Sequence, residues 1–276
     1  MTTTRDQAQP MIRPADATAG RRASLALVVA VVVGGVAFSW PLFLRPDSGM
    51  SATQAPVMFA IVLPLVLAVV LSELAGGRMD AKTLAMLGVL AAVGTILRPL
   101  SAGTAGFELI FFLMILAGRV FGAGFGFALG AITLFTSALI TSGVGPWLPY
   151  QMLTAGFVGL FAGWLPRVRG RWELAVLAAY GMVSAFAYGW LMDFSFWPFA
   201  IGDGTQLSFD PSASPADNLH RFVLFNLATS MGWNLGRALT NAVLVALLGV
   251  PLLRLLRRAA RRASFVPPNP ARPLAE

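Results

Sequence analysis

The chain alternates long apolar runs with short polar joints, and the runs are too long and too continuous for the helices of a soluble domain. The apolar stretches 25–44, 56–74, 83–97, 107–118, 122–141, 150–165, 172–199 and 222–250 predict eight helices. The first has roughly the 20 residues that a bilayer core requires. Arg98-Pro99 stops the third, and the segment PLSAGTAGF (99–107) reads as a Gly-bearing loop. SGVGPWLP (142–149) reads as a turn. Residues 107–141 are too many for one bent unit, so they are read as two helices. The Arg21-Arg22 start of the first span and Ala37-Phe-Ser39 near its end resemble a secretory signal; an uncleaved helix is the preferred reading.

The last apolar stretch carries the most informative pattern. Asn226, Ser230, Asn234, Arg237 and Asn241 interrupt it at spacings of 4, 4, 3 and 4. At about 100° per residue all five fall within roughly 80° of one another, on one face of one helix. A charged Arg and three amides facing acyl chains would each cost kilocalories. The stripe is therefore expected to face other helices or a wet cavity, with Arg237 and Asn241 as a structural lock. Glu73 and Asn241 are the candidate partners for Arg237.

Composition agrees. Of 276 residues, 57% are hydrophobic and 12% charged, whereas soluble domains carry about 25% charged residues. The expected fold class is all-α, a polytopic membrane helix bundle of about eight transmembrane helices. The net charge of +8 is concentrated at segment ends and tails, and the aromatics lie in apolar runs. That pattern suits a lipid bilayer and excludes nucleic acid as a partner. There is no Cys and one His, His220, so disulfides, thiolate sites and multi-His metal sites cannot be built; no metal or cofactor is expected. There is no Walker A sequence, so the chain cannot hydrolyse ATP alone. No catalytic residue is expected, since neither a Gly-x-Ser-x-Gly-like serine nor a buried His is present.

With the N-terminus inside, sixteen Lys and Arg fall on inner segments against three outside, namely Arg45, Arg98 and Arg221. Both termini are expected in the cytoplasm of a multi-pass protein of the cell membrane. Four regions result: a disordered tail (1–22), two N-terminal transmembrane helices (23–80), a six-helix core (81–255), and a basic, Pro-containing tail (256–276).

Three rows of small residues recur at helical spacing: Gly118, Gly122, Gly126 and Gly130; Ala155, Gly159 and Gly163; and Gly88 and Ala92, flanked by Ala85 and Thr95. Such rows let another backbone approach closely, within the chain or on a partner subunit. The outer ends collect aromatic and polar groups: Trp147, Tyr150 and Gln151; Tyr188, Trp190, Asp193 and Trp197; Asn226 and Ser230. They form either an interfacial belt or an outward-facing pocket with rings for stacking and amides for hydrogen bonding. In the second reading Trp147, Gln151, Tyr188, Asp193, Asn226, Ser230 and Asn234 bind substrate. Asp193 either pairs with Arg98 or meets a ligand.

LAGRVFGAGFGFALGAITLFTSALITSGVGPWLPYQM (116–152) and ATSMGWNLGRALTNA (228–242) resemble the substrate-binding S component of an energy-coupling factor (ECF) vitamin transporter, most like cobalamin-type and uncharacterised actinobacterial members. The resemblance covers about 83–262. It implies a six-helix bundle that holds a vitamin near the outer surface, with cobalamin as the first candidate. It also implies docking on a transmembrane T component coupled to two ATPase subunits. The family's docking patch, an AxxxA pattern on the first core helix, corresponds here to Gly88-Val-Leu-Ala-Ala92, beside Ala85. An ion-coupled secondary transporter is the alternative. It would show repeated halves and broken midplane helices, and no internal repeat is seen. A lipid-processing enzyme would need clustered acids, which are absent, and a scaffold would leave the aromatic ends as a belt.

Overall fold

The computed structural model describes residues 17–39, 41, 55–75, 79–101, 105–168, 170–200 and 204–263. Most of both predicted tails lies outside these residues, as do Arg45, Arg78 and Asp203. The described residues form nine helices: α1 (Ala17–Ser39), α2 (Ala55–Ala75), α3 (Ala81–Ser101), α4 (Phe111–Phe121), α5 (Ala123–Ile140), α6 (Leu148–Trp164), α7 (Arg171–Ala200), α8 (Pro215–Thr229) and α9 (Met231–Ala263). The all-α bundle expected from the apolar runs is present. Within α3, α5, α7 and α9, the stretches Ala81–Ser101, Ala123–Ile140, Arg171–Pro198 and Met231–Arg261 are long and apolar enough to cross a membrane. Shorter apolar helices accompany them.

Several boundaries differ from the sequence reading: α1 starts at Ala17, α4 starts at Phe111, and α9 runs on to Ala263. α3 runs through Pro99 to Ser101, whose hydroxyl donates to the carbonyls of Leu97 and Arg98 (3.3 and 3.1 Å) and so satisfies acceptors at the helix end. The final apolar run is two helices, interrupted at Ser230 (φ −119°, ψ −9°). Backbone bonds from Ser230 to Asn226 and from Asn234 to Ser230 bridge the interruption, so the polar row bends but keeps one face. α8 starts at a Ser214 N-cap that accepts from the Asp217 N–H, with Pro215 in the first turn. His220, expected in a loop, lies exposed on α8.

The first two small-residue rows meet each other. Gly122 (φ +98°) separates α4 from α5, leaving Gly118 on one helix and Gly126 and Gly130 on the next. A Cβ on Gly118 or Gly126 would fall on the Gly159 backbone of α6, and one on Gly130 would fall on that of Ala155 and Gly156. Gly163 lies equally close to Gly122 and Ala123. α4 and α5 therefore pack backbone to backbone on α6, the contact that small residues permit in a membrane. The third row behaves otherwise. Ala85, Gly88 and Ala92 are exposed on α3, and a Cβ on Gly88 would meet nothing within 4 Å. Thr95 turns inward and hydrogen-bonds Thr136 at 2.6 Å.

The two helices preceding this core are packed onto it. Phe38 of α1 meets the Tyr150 ring at 5.0 Å, and Gly34 lies under Leu153 and Phe157. Glu73 of α2 is buried, with its carboxylate against Gly124 in the first turn of α5. At the end where α4, α7 and α9 converge, Glu173 accepts from Arg119 (2.9 Å) and Arg257 (2.6 Å). Arg119 also donates to the Leu165 carbonyl past the end of α6 (2.9 Å).

Gly159→Leu is expected to destabilise the fold by about 1–3 kcal/mol or more, because neither facing backbone can withdraw. Gly88→Leu, facing open space, is expected to stay within about 0.5 kcal/mol of the parent. Thermal unfolding in detergent, followed by size-exclusion profile, measures both.

Candidate functional site

The polar row of α9 faces inward. Asn234 and Asn241 are buried, while Leu235, Leu239, Val243 and Leu247 form the outer face. What receives the row is a further small-residue row, on α7: Gly181, Ala185 and Gly189. The Asn241 amide donates to the Gly181 carbonyl at 3.0 Å. The Asn234 carbonyl packs so closely on Gly189 that a Cβ there would collide with it. Arg237 donates to the Asn234 carbonyl (3.1 Å) and reaches the Ala185 carbonyl at 3.5 Å.

The counter-ion of Arg237 is Glu108, at 3.0 Å. Glu73 and Asn241, the partners expected from sequence, are engaged elsewhere, on α5 and α7. Glu108 belongs to the segment after α3, and two glycines bring it within reach. Gly106 (φ +80°) lies against the Trp233 carbonyl, and Gly236 lies against the Ala105 carbonyl. The segment thus sits directly on the α9 backbone. The Leu109 N–H donates to the Ser101 hydroxyl at 3.3 Å, fixing its other side. The guanidinium of Arg237 lies over the rings of Tyr188 (5.1 Å) and Phe111 (5.9 Å), which adds cation–π attraction away from bulk water.

Beside this pair opens a cavity of about 370 Å³. Its polar wall includes Arg98, Glu108, Ser137 and Arg237, and its flat apolar surfaces are Phe107, Trp147 and Trp233. Arg98 donates to Gln151 (3.0 Å) and Ser137 (3.3 Å).

Of the residues expected to bind substrate, Trp147 lines the cavity directly. Gln151 stands one hydrogen bond behind it, through Arg98. Tyr188 and Asn234 reach it through Arg237. Asp193, Asn226 and Ser230 form a separate cluster: the Asn226 amide donates to the Asp193 carboxylate at 2.5 Å, and Ser230 lies beside the same carboxylate. Among the described residues no ion pair joins Asp193 to Arg98 or to another cation. The rings near it are closed on one another, with Trp190, Phe194 and Trp197 all packed around Phe222. The 204–214 segment covers this corner. Trp197 donates to the Leu207 carbonyl at 2.7 Å. The Ser212 hydroxyl and N–H hold the Asp210 carboxyl below the ordinary carboxylate range.

Sequence reasoning did not single out Glu108, Arg98, Phe107 and Trp233 for the cavity, nor the Gly181, Ala185 and Gly189 row. The row had a signal, small residues at i, i+4 and i+8. The Arg237–Glu108 pair had none, being separated by 129 positions.

A family model described as ECF transporter, substrate-specific component, matches residues 82–249, from the start of α3 well into α9. The match covers more than half of the chain, and the chain belongs to that family of substrate-specific components of ECF transporters. It is a family of transporter components and not of enzymes. The family and the apolar helices together make this a multi-pass membrane protein. No curated protein and no solved structure matches the chain.

Removing one partner of a buried ion pair leaves an uncompensated charge and costs about 3–5 kcal/mol. Glu108→Leu and Arg237→Met are each expected to lower the thermal midpoint sharply, and the double variant to recover most of the loss. A double-mutant cycle on purified protein gives the coupling directly.

Proposed function

We propose that the chain is the substrate-specific subunit of an ECF-type importer, taking up a vitamin or related micronutrient. The observation that carries this reading is the cavity between α3, the 105–108 segment, the 141–147 turn and α9. It has three flat rings and a few convergent polar groups, the composition of small-molecule sites. Trp147 contacts the ligand, Gln151 orients Arg98, and Tyr188 and Asn234 orient Arg237. Asp193, Asn226 and Ser230 brace the adjoining corner. The excess of Lys and Arg on the opposite side supports an outward-facing cavity with both termini in the cytoplasm. A volume of about 370 Å³ lies near the lower limit of small-molecule sites, which favours a compact micronutrient over a macrocycle of cobalamin size.

The open face of α3 at Ala85, Gly88 and Ala92 is the surface for a transmembrane T component, which two ATPase subunits drive. Small side chains there allow close approach of a partner helix, and among the described residues none lies over Gly88.

A bound micronutrient is expected to change tryptophan emission, and the change to vanish in a Trp147→Phe, Trp233→Phe variant. No response to any vitamin-sized compound, cobalamin included, would count against the cavity as a ligand site. Gly88→Leu is expected to abolish co-purification with the T component while leaving ligand affinity within about threefold. Undiminished co-purification would move the docking surface elsewhere.

A further inference from the structure

We infer that the ligand of this cavity carries an anionic group, a carboxylate or a phosphate, and that Arg98 is its receptor; this rests on the cavity being the ligand site. Two guanidinium groups line the cavity against one carboxylate. That carboxylate is already taken, since Glu108 pairs with Arg237 at 3.0 Å. Arg98 is left with neutral acceptors alone, Ser137 on α5 and Gln151 on α6. Among the described residues no acid lies within ion-pair distance of it.

Arg98 is half-buried in the last turn of a membrane-spanning helix. A cation in that position without a counter-ion is costly, and a structural arginine would be expected to have an acid beside it, as Arg119 and Arg237 do. Arg98 instead has one amide and one hydroxyl, which fix its orientation without neutralising it. The remaining donors of its planar fork are available for a carboxylate or phosphate, the anions that match it in a bidentate manner. Phe107, Trp147 and Trp233 supply the walls for an apolar or ring-bearing body attached to that anion. Ser137 and Gln151 are positioning residues, acting through Arg98.

The test uses the full chain in phosphatidylcholine nanodiscs. It is equilibrated with an equimolar mixture of matched compounds: nicotinate and nicotinamide, biotin and biotinamide, pantothenate and pantothenol, pyridoxal phosphate and pyridoxal, with thiamine, riboflavin and cobalamin added. After size exclusion, retained compounds are quantified by mass spectrometry. The acid or phosphate of a pair is expected to be retained roughly tenfold or more over its neutral partner, the weight of one charge-assisted contact. The carboxylate and phosphate arms say which anion is read. Arg98→Gln is expected to abolish the preference, and Arg98→Lys to keep part of it. The wild-type ratio of acid to neutral partner needs no variant and decides the matter even if Arg98→Gln fails to fold. Preferential retention of a neutral or cationic compound, or equal retention by Arg98→Gln, overturns the anion assignment and leaves the ligand site standing. The same assignment falls if nanodiscs containing phosphatidylglycerol suppress the acid preference, which would make a lipid headgroup the natural counter-ion. Retention of nothing by the parent protein overturns the ligand site itself.

Discussion

An ionised arginine on a membrane-crossing helix must be turned from the lipid and given a counter-ion, and meeting that requirement for Arg237 orders much of this protein. The guanidinium can face inward only because α7 offers Gly181, Ala185 and Gly189 on the surface that meets α9. Its counter-ion arrives only because the segment after α3 lies on the α9 backbone, at Gly106 and Gly236. The rings of Phe111 and Tyr188 close the remaining sides. One charge thereby fixes α4, α7, α9 and a loop relative to one another. The surface this produces is a wall of the cavity, so the lock and the candidate ligand site share atoms. Neutralising Glu108 within that lock is also what leaves Arg98 as the uncompensated cation beside it.

Small residues divide the rest of the bundle into closed and open faces. Where Gly126 meets Gly159, backbones touch and there is no slack for sliding. That makes α4, α5 and α6 a rigid unit, with α1 and α2 packed against it through Phe38, Gly34 and Glu73. The same residue types on α3 are exposed, and among the described residues none lies within 4 Å of a Cβ on Gly88. Similar spacing in sequence thus serves internal packing in one place and an available surface in another. A subunit that docks on a partner without unfolding would need this combination.

Much of the architecture was legible because its signals are local. The apolar runs marked the helices, and the spacing of Asn234, Arg237 and Asn241 announced a buried face whatever lay opposite. The Gly rows announced close approach, though not between which partners. What was illegible depends on the path of the chain. Gly232 is the breaker signal nearest Ser230, but a lone Gly is common inside membrane helices, and the interruption between α8 and α9 shows only in the backbone angles. Glu108 stood at the start of the apolar run 107–118, and nothing there announced its partner, since the pairing depends on how the preceding residues cross α9. The ring types around Trp190 and Trp197 were evident, but not that they would close on Phe222 instead of opening on a hollow. Sequence placed the candidate pocket at the end of the bundle that carries Arg98, Trp147 and Asn226. Packing moved its centre from α7 towards Arg98, Trp147 and Trp233.

The absence of cysteine from the chain makes the inward orientation of the α9 row directly measurable. Single cysteines at Leu239, Asn241 and Val243 can carry spin labels, with collision rates read against oxygen dissolved in the bilayer and a water-soluble relaxant. The account predicts high oxygen contact at Leu239 and Val243 and little at Asn241. Oxygen contact at Asn241 equal to that at Leu239 would place the polar row against the acyl chains and contradict the account.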